Sequence, residues 1–252
     1  MKNRNFAVSN LLMFTLGAVL YGTTVLIPQF LETVMGYTAQ LAGMALSPGG
    51  LVVMAMMPMV GFLVSRVDPR KLITVGFLAL ALAMFHMTNL YLGIDFHTAM
   101  MYRIYQSIGL AFLFVPINTL CYVGVPQEQN NQISSMINLM RNLGGSFGIS
   151  FVTTMLARRA QVHQTFLAAH TQDSSQMRNM VNSLTGAYAV RLGSGPEAVH
   201  HAYAAVYGTL QQQAAVLSYR DTIMVMAILT VAVMPLVLLA RRPKPGEAHL
   251  GH

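Results

Sequence analysis

Long runs of apolar residues alternate with short polar breaks along this chain, and six of the runs reach the roughly 20 residues that a membrane-spanning helix needs. They fall near Ala7–Phe30, Gln40–Ser65, Lys71–Leu92, Ala99–Val125, Ile133–Ala157 and Tyr219–Ala240. The pattern predicts an all-α integral membrane protein, a bundle of six transmembrane helices. Residues 1–157 hold the first five helices, 158–218 an extracytoplasmic loop, 219–240 the sixth helix and 241–252 a tail. Lys2 and Arg4 precede a first apolar run of about 24 residues, against the 7 to 15 of a signal-peptide core, so this run reads as a retained span.

The long connection has its own pattern. Ser194-Gly195-Pro196-Glu197 has capping-box spacing, and Val199, Tyr203, Val206, Leu210 and Leu217 recur at helical intervals behind it. An amphipathic helix packed on the bundle rim or lying at the interface is expected there. His163, His170, His200 and His201 have no Cys or carboxylate beside them at ligand spacing, so no metal is expected.

Composition strengthens the membrane reading. The chain is 54% hydrophobic and 9% charged, where a soluble domain carries about 25% charged residues. The single cysteine, Cys121, excludes a disulfide scaffold within the chain and reads as a small core residue. A formal charge of +7 raises nucleic acid as a partner, but the basic residues sit mainly at helix ends, where topology accounts for them better. Lys2, Arg4, Arg66, Arg70, Lys71, Arg241, Arg242 and Lys244 fall on one side, and the connections 31–39 and 93–98 hold no Lys or Arg. Both termini are therefore expected in the cytoplasm.

Arg141 stands about eight residues inside the fifth span, where an ionised guanidinium costs on the order of 3 kcal/mol or more if it meets lipid. Helical steps from it give Ser134, Asn138, Arg141, Gly145 and Gly148, one polar and small face on an otherwise apolar helix. Such a face lines a solute or proton pathway, or else Arg141 is a structural staple bonded to the carbonyls of a neighbouring helix. Similar reasoning puts Asn10, Gly17, Tyr21 and Thr24 on one side of the first helix, and Ser107 and Asn118 three turns apart on the fourth. With Asn138 and Arg141 these offer donors and acceptors among walls rich in Met and Phe, a mixture suited to hydrophobic, partly polar solutes. The 20 Met residues also serve as ordinary gap fillers. His86 reads as a packing residue, and Asp221 is the one acidic residue in any span.

Ser47-Pro48-Gly49-Gly50 and Gly144-Gly145-Ser146-Phe147-Gly148 interrupt the second and fifth helices at similar distances from their starts. Paired interruptions point to a site between two triplets of helices. Close packing explains the same glycines, since Ala18-x-x-x-Gly22, Gly43-x-x-x-Ser47 and Gly144-x-x-x-Gly148 all have small-xxx-small spacing. Gly144–Gly148 also matches G-x-S-x-G, but the Ser falls inside a helix with only His86 among the spans, so hydrolase chemistry is not expected.

Two stretches resemble a known family. Residues 31–50, LETVMGYTAQLAGMALSPGG, are similar to the ninth-to-tenth helix region of the fourteen-helix drug:proton antiporters, the EmrB/QacA group of the major facilitator superfamily. Residues 123–154, VGVPQEQNNQISSMINLMRNLGGSFGISFVTT, are similar to the twelfth-to-thirteenth. With the long loop and last helix the likeness covers essentially the whole chain. It implies the C-terminal six-helix half of such a transporter, a fragment inactive alone, built as two inverted three-helix repeats, in the inner membrane of a bacterium. It also implies efflux of small hydrophobic solutes driven by the proton gradient without a cofactor. The implied partners are the lipid bilayer, the N-terminal helices of the parent transporter and, as a candidate, a periplasmic adaptor protein. A six-helix scaffold or regulatory subunit without transport of its own is the alternative.

Two motifs of the family have counterparts. Gly61-Phe-Leu-Val-Ser-Arg66-Val-Asp68-Pro-Arg70 resembles the loop motif whose basic residues clamp helix ends and bias the conformational state, with Ser65 where Asp is usual and Asp68 where Gly is usual. Positive-inside anchoring explains Arg66 and Arg70 nearly as well. Arg103-Ile-Tyr-Gln106-Ser107 resembles the Arg-x-x-Gln-Gly motif linked in the family to proton coupling, with Ser107 replacing the Gly. Its rival is an Arg103 that snorkels to the interface from its place near the helix start.

Overall fold

The computed structural model describes residues 4–123, 127–171, 174–193 and 195–240. Among these residues seven α-helices follow one another: α1 (Arg4–Thr33), α2 (Ala39–Val64), α3 (Pro69–Met87), α4 (Phe96–Tyr122), α5 (Asn130–Thr171), α6 (Ser175–Leu192) and α7 (Pro196–Leu238), with a short 3₁₀ turn at Gln127–Gln129 before α5. Local chemistry sets the starts. Thr38 accepts from the Leu41 amide at α2, Asp68 from the Arg70 amide at α3, Asp95 from the Thr98 amide at α4 and Ser174 from the Met177 amide at α6. The Thr98 hydroxyl and amide both donate to Asp95, which holds that carboxyl below its ordinary range. Gly36 and Gly193 turn the chain after α1 and α6 at φ 72° and 86°, where an L side chain is strained.

Among the described residues five helices, α1, α2, α3, α4 and α7, are long and apolar enough to cross a membrane. The expected fifth span lies in α5, which falls short of that apolarity because Ser134, Ser135, Asn138, Arg141, Asn142 and three glycines dilute it. It packs within the bundle all the same, along α1 and α7. One core runs through the helices, with Leu12, Phe30, Phe77, Leu80, Met84, Leu113, Ile117 and Ile223 almost fully buried. At one end Phe30 meets Tyr219 edge-on, with centroids 5.1 Å apart. By contrast α2 packs on α4 and on α1 alone to any extent, and exposes Leu41, Met44, Leu51, Met54, Met59 and Phe62.

The expected helix interruptions do not occur. α2 continues through Ser47–Gly50 and α5 through Gly144–Gly148. The glycines of α5 do not loosen it, because α1 lies directly on them. A Cβ on Gly144 would stand 2.0 Å from the Phe14 carbonyl oxygen, one on Gly148 2.2 Å from that of Ala18, and one on Gly17 2.2 Å from that of Arg141. Small-xxx-small packing is thus the role of Gly144, Gly148, Ala18 and Gly22. Gly43 is different, since a Cβ there would meet nothing.

The segment 158–218, read from the sequence as a loop with one amphipathic helix, is almost entirely helical among the described residues. α5 runs on to Thr171 and α7 begins at Pro196, so these helices have 42 and 43 residues. At about 1.5 Å per residue each is about 60 Å long, twice the hydrocarbon thickness of a bilayer. Their extensions form a three-helix annex with α6. The buried line of α7 there is Ala198, Ala202 and Val206, packed with Val181, Met177 and Leu184, whereas Val199 and Tyr203 are exposed. Val206 keeps its expected place on the buried face, whereas Ala198 and Ala202 take the places expected of Val199 and Tyr203. Ser194 lies outside the described residues; the N-cap of α7 is Gly195, with no side-chain bond and with Pro196 in the first turn.

Candidate solute pathway

Arg103 is the seventh residue after Phe96, about 10 Å along α4 from its start. Its side chain does not snorkel back to that end. It is 8% exposed, its Nη1 donates to Gln106 Oε1 at 2.7 Å, and its Nη2 donates to Thr24 Oγ1 of α1 at 3.0 Å. Thr24 Oγ1 donates in turn to the Leu20 carbonyl at 2.6 Å, which leaves its lone pairs for the guanidinium. Gly49 of α2 covers the group. A Cβ there would stand 2.7 Å from Arg103 Cγ and 2.6 Å from Ser107 Oγ, so a glycine lets α2 close over the cation. Arg103 Nε, Gln106 Nε2 and Ser107 Oγ are buried with no hydrogen-bond partner, and no carboxylate pairs with Arg103 among the described residues.

Arg141 belongs to a second group. Its Nη2 donates to Asn138 Oδ1 on its own helix at 2.8 Å, and its guanidinium carbon lies 5.7 Å from the centroid of Phe114 of α4. The described bond of this guanidinium is therefore not to a carbonyl of a neighbouring helix. Its Nε is buried without a partner. Asn118 donates to the Phe114 backbone carbonyl one turn back on its own helix at 2.7 Å, and Ser134 Oγ pairs with Tyr122 Oη at 2.6 Å. The single pathway face expected on α5 divides. Asn138 is exposed and Arg141 half-buried, whereas Gly145 and Gly148 are buried against α1, with the Tyr21 ring 2.5 Å from where a Gly145 Cβ would be. The glycines seat a helix and leave no room there for a solute.

The loop motif is also divided by the fold. Arg70 reaches across to the C-terminal end of α7 and donates from Nη2 to the Leu238 carbonyl at 3.0 Å and from Nε at 3.4 Å to the Val237 carbonyl, which also accepts from the Ala240 amide at 3.2 Å. Arg66 instead stacks on Phe62 of its own helix, 4.2 Å from the ring centroid. Asp68 caps α3, and Gly61 faces open space.

Asp221 of α7 binds His163 of α5 at 2.8 Å and lies 3.6 Å from Arg159. These partners are distant in sequence, and periodicity alone gives no signal for them. His86 packs edge-on to Tyr102 and Tyr105 at 5.3 and 5.9 Å. No group of three His, Cys, Asp or Glu side chains among the described residues could hold a metal ion. Ser146 of the G-x-S-x-G match lies mid-helix, not at the strand-to-helix elbow that a nucleophile of that type occupies.

The bundle of long apolar helices around buried arginines has a family counterpart, since the model of the Major Facilitator Superfamily matches residues 2–149. The chain belongs to that superfamily. It is 28% identical over 243 residues to the fatty acid resistance protein FarB of Neisseria gonorrhoeae, covering 96% of this chain and 46% of that protein. It is 33% identical over 167 residues to the multidrug export protein EmrB of Escherichia coli strain K12, covering 66% and 33%. It is 26% identical over 229 residues to the colistin resistance protein EmrB of Acinetobacter baumannii, covering 90% and 44%. The chain thus spans less than half the length of these relatives. It is an integral membrane protein of a transporter family, similar to multidrug and fatty acid resistance proteins.

Proposed function

We propose that this chain is the C-terminal six-helix part of a proton-coupled efflux transporter that exports small hydrophobic solutes. Carrying the reading is the placement of two arginines, buried Arg103 and half-buried Arg141, in an apolar bundle with no carboxylate partner among the described residues, since a cation at such depth needs a watered path or a ligand. The names of the relatives, export of drugs and resistance to fatty acids or colistin, fit that chemistry. In this reading the chain sits in the inner membrane with both termini in the cytoplasm, the proton gradient supplies the energy, and no cofactor takes part. The Met-rich outer face of α2 packs against helices N-terminal to this part, because alternating access requires one half to rock against the other. The annex of α5, α6 and α7 then stands on the external side, where a periplasmic adaptor protein has a surface to bind. Arg70 ties α3 to the end of α7 and releases it as the bundle changes state.

The test is Arg141→Ala in the complete transporter, with membrane abundance measured beside solute efflux driven by a pH gradient. Efflux falls at least tenfold with abundance near wild type, and Arg141→Lys restores only part of it, since a point charge replaces a planar fork of donors. Wild-type efflux in Arg141→Ala removes the residue from the pathway. Absence of pH-gradient dependence in the wild type refutes proton coupling.

A further inference from the structure

We propose that Thr24, Arg103, Gln106 and Ser107, under Gly49, form a carboxylate subsite that takes the acid headgroup of an amphiphilic solute when α2 moves off it. The inference rests on the export reading and gives it a solute class.

The polar inventory of the cluster points to an anion. Arg103 and Gln106 bring two unused N–H donor groups and Ser107 an unused hydroxyl, all on side chains at least nine-tenths buried. The two bonds that Arg103 does make are to neutral oxygens, Gln106 Oε1 and Thr24 Oγ1, which satisfy protons without cancelling charge. A buried cation in that condition keeps most of its desolvation penalty, several kcal/mol, until an anion reaches it. A carboxylate matches the remaining needs, because its two oxygens accept from the guanidinium fork and have lone pairs left for the Gln106 amide and the Ser107 hydroxyl. An alcohol offers one oxygen and no charge. An amine is repelled.

Access follows from the packing. The cover over Arg103 is Gly49 of α2, which packs chiefly on α4 and more lightly on α1, whereas α3, α4 and α7 are gripped on several sides. Outward displacement of α2 exposes the donors without breaking the α1–α5 or α3–α4 seams. Arg141 is the weaker candidate for this task. It is already half-exposed, so solvent meets part of its need, and its described hydrogen bond is to an exposed residue of its own helix, Asn138.

The experiment measures binding of radiolabelled octanoate to the purified protein in nanodiscs, with octanol and octylamine of the same chain length as competitors. Octanoate is expected to bind at least tenfold tighter than octanol, and octylamine not to compete. Arg103→Gln abolishes the preference, and Arg103→Lys retains a reduced one. Folding is read by the protection of Cys121, the single and fully buried cysteine, against a thiol dye. Should Arg103→Gln lose that protection, Gln106→Leu decides, since it leaves the cation in place and is expected to weaken octanoate severalfold with octanol unchanged. Equal binding of octanoate and octanol in the wild type overturns the subsite, as does a preference that survives Arg103→Gln or an octanoate affinity unmoved by Gln106→Leu. Export of solutes by the complete wild-type transporter in sealed vesicles is measured in parallel. Export without headgroup preference refutes the subsite alone, and preference without any export refutes the transport reading.

Discussion

Replacing Gly144 by alanine adds one methyl group at the tightest seam in the molecule. Its Cβ would lie 2.0 Å from the Phe14 carbonyl oxygen and 2.7 Å from the carbonyl carbon, and both atoms belong to the backbone of α1. A carbon and an oxygen sit no closer than about 3.3 Å without strain, so α1 and α5 must part by about 1 Å locally. No rotamer change relieves this. Parting the helices also loosens Gly148 against Ala18 and Gly17 against Arg141, which share the seam. Overpacking against rigid backbone costs about 3 kcal/mol, the top of the usual range, and the helix preference of alanine over glycine returns about 1, for a net loss of about 2 kcal/mol. In a chain of this size that lowers the unfolding midpoint by about 4–8 °C. Buried Cys121 makes the assay direct, since a thiol-reactive dye reports its exposure on heating. Gly43→Ala is the control, because a Cβ there meets nothing, and it is expected to leave the midpoint unchanged or raise it by about 2 °C. Equal midpoints for Gly144→Ala and Gly43→Ala would refute the account of the α1–α5 seam.

Three further outcomes are expected. Arg70→Gln strips two donors from the end of α7 and lowers the midpoint by about 2–4 °C, about 1 kcal/mol for partly exposed bonds; an unchanged midpoint means those carbonyls are satisfied by water. Asp221→Asn removes the carboxylate shared by His163 and Arg159 and speeds hydrogen exchange in residues 158–171 of α5 relative to its bundle segment, and uniform exchange along α5 in the variant contradicts a tie there. In a Cys121→Ser background, a cysteine at position 197 labels with an impermeant reagent from outside and one at position 68 does not; external labelling at 68 rejects the proposed orientation.

How much was legible in the sequence varies with the range of the interaction. Spans α1 to α4 were readable because an apolar run of about 20 residues has few alternatives in a bilayer; the caps Thr38, Asp68 and Asp95 went unread, although each bonds an amide only two or three residues away. The small-xxx-small spacing at Ala18, Gly22, Gly144 and Gly148 named the right positions, but it equally named Gly43, which packs against nothing. A spacing records what a helix surface permits, and the partner helix decides whether the permission is used. The same limit applied to Ser134, Asn138, Arg141, Gly145 and Gly148, which share a helical face in sequence and are divided in space because α1 takes the glycines. Arg103 was visible as a charge in a span. Its burial, its bond to Thr24 and its cover by Gly49 depend on α1 and α2 converging on α4. The length of α5 and α7 beyond the apolar runs was obscured for a related reason: hydropathy records what lipid requires, whereas the annex is held by Val181, Ala202 and Val206 meeting across helices. The sequence by itself thus determined the helices that lie within the apolar runs, because those follow from contacts within a few residues, but it left α6, the extension of α5 and the continuity of α7 unread. Tertiary structure alone decided which polar groups meet, because each such meeting joins residues tens of positions apart through helix packing that no local pattern encodes.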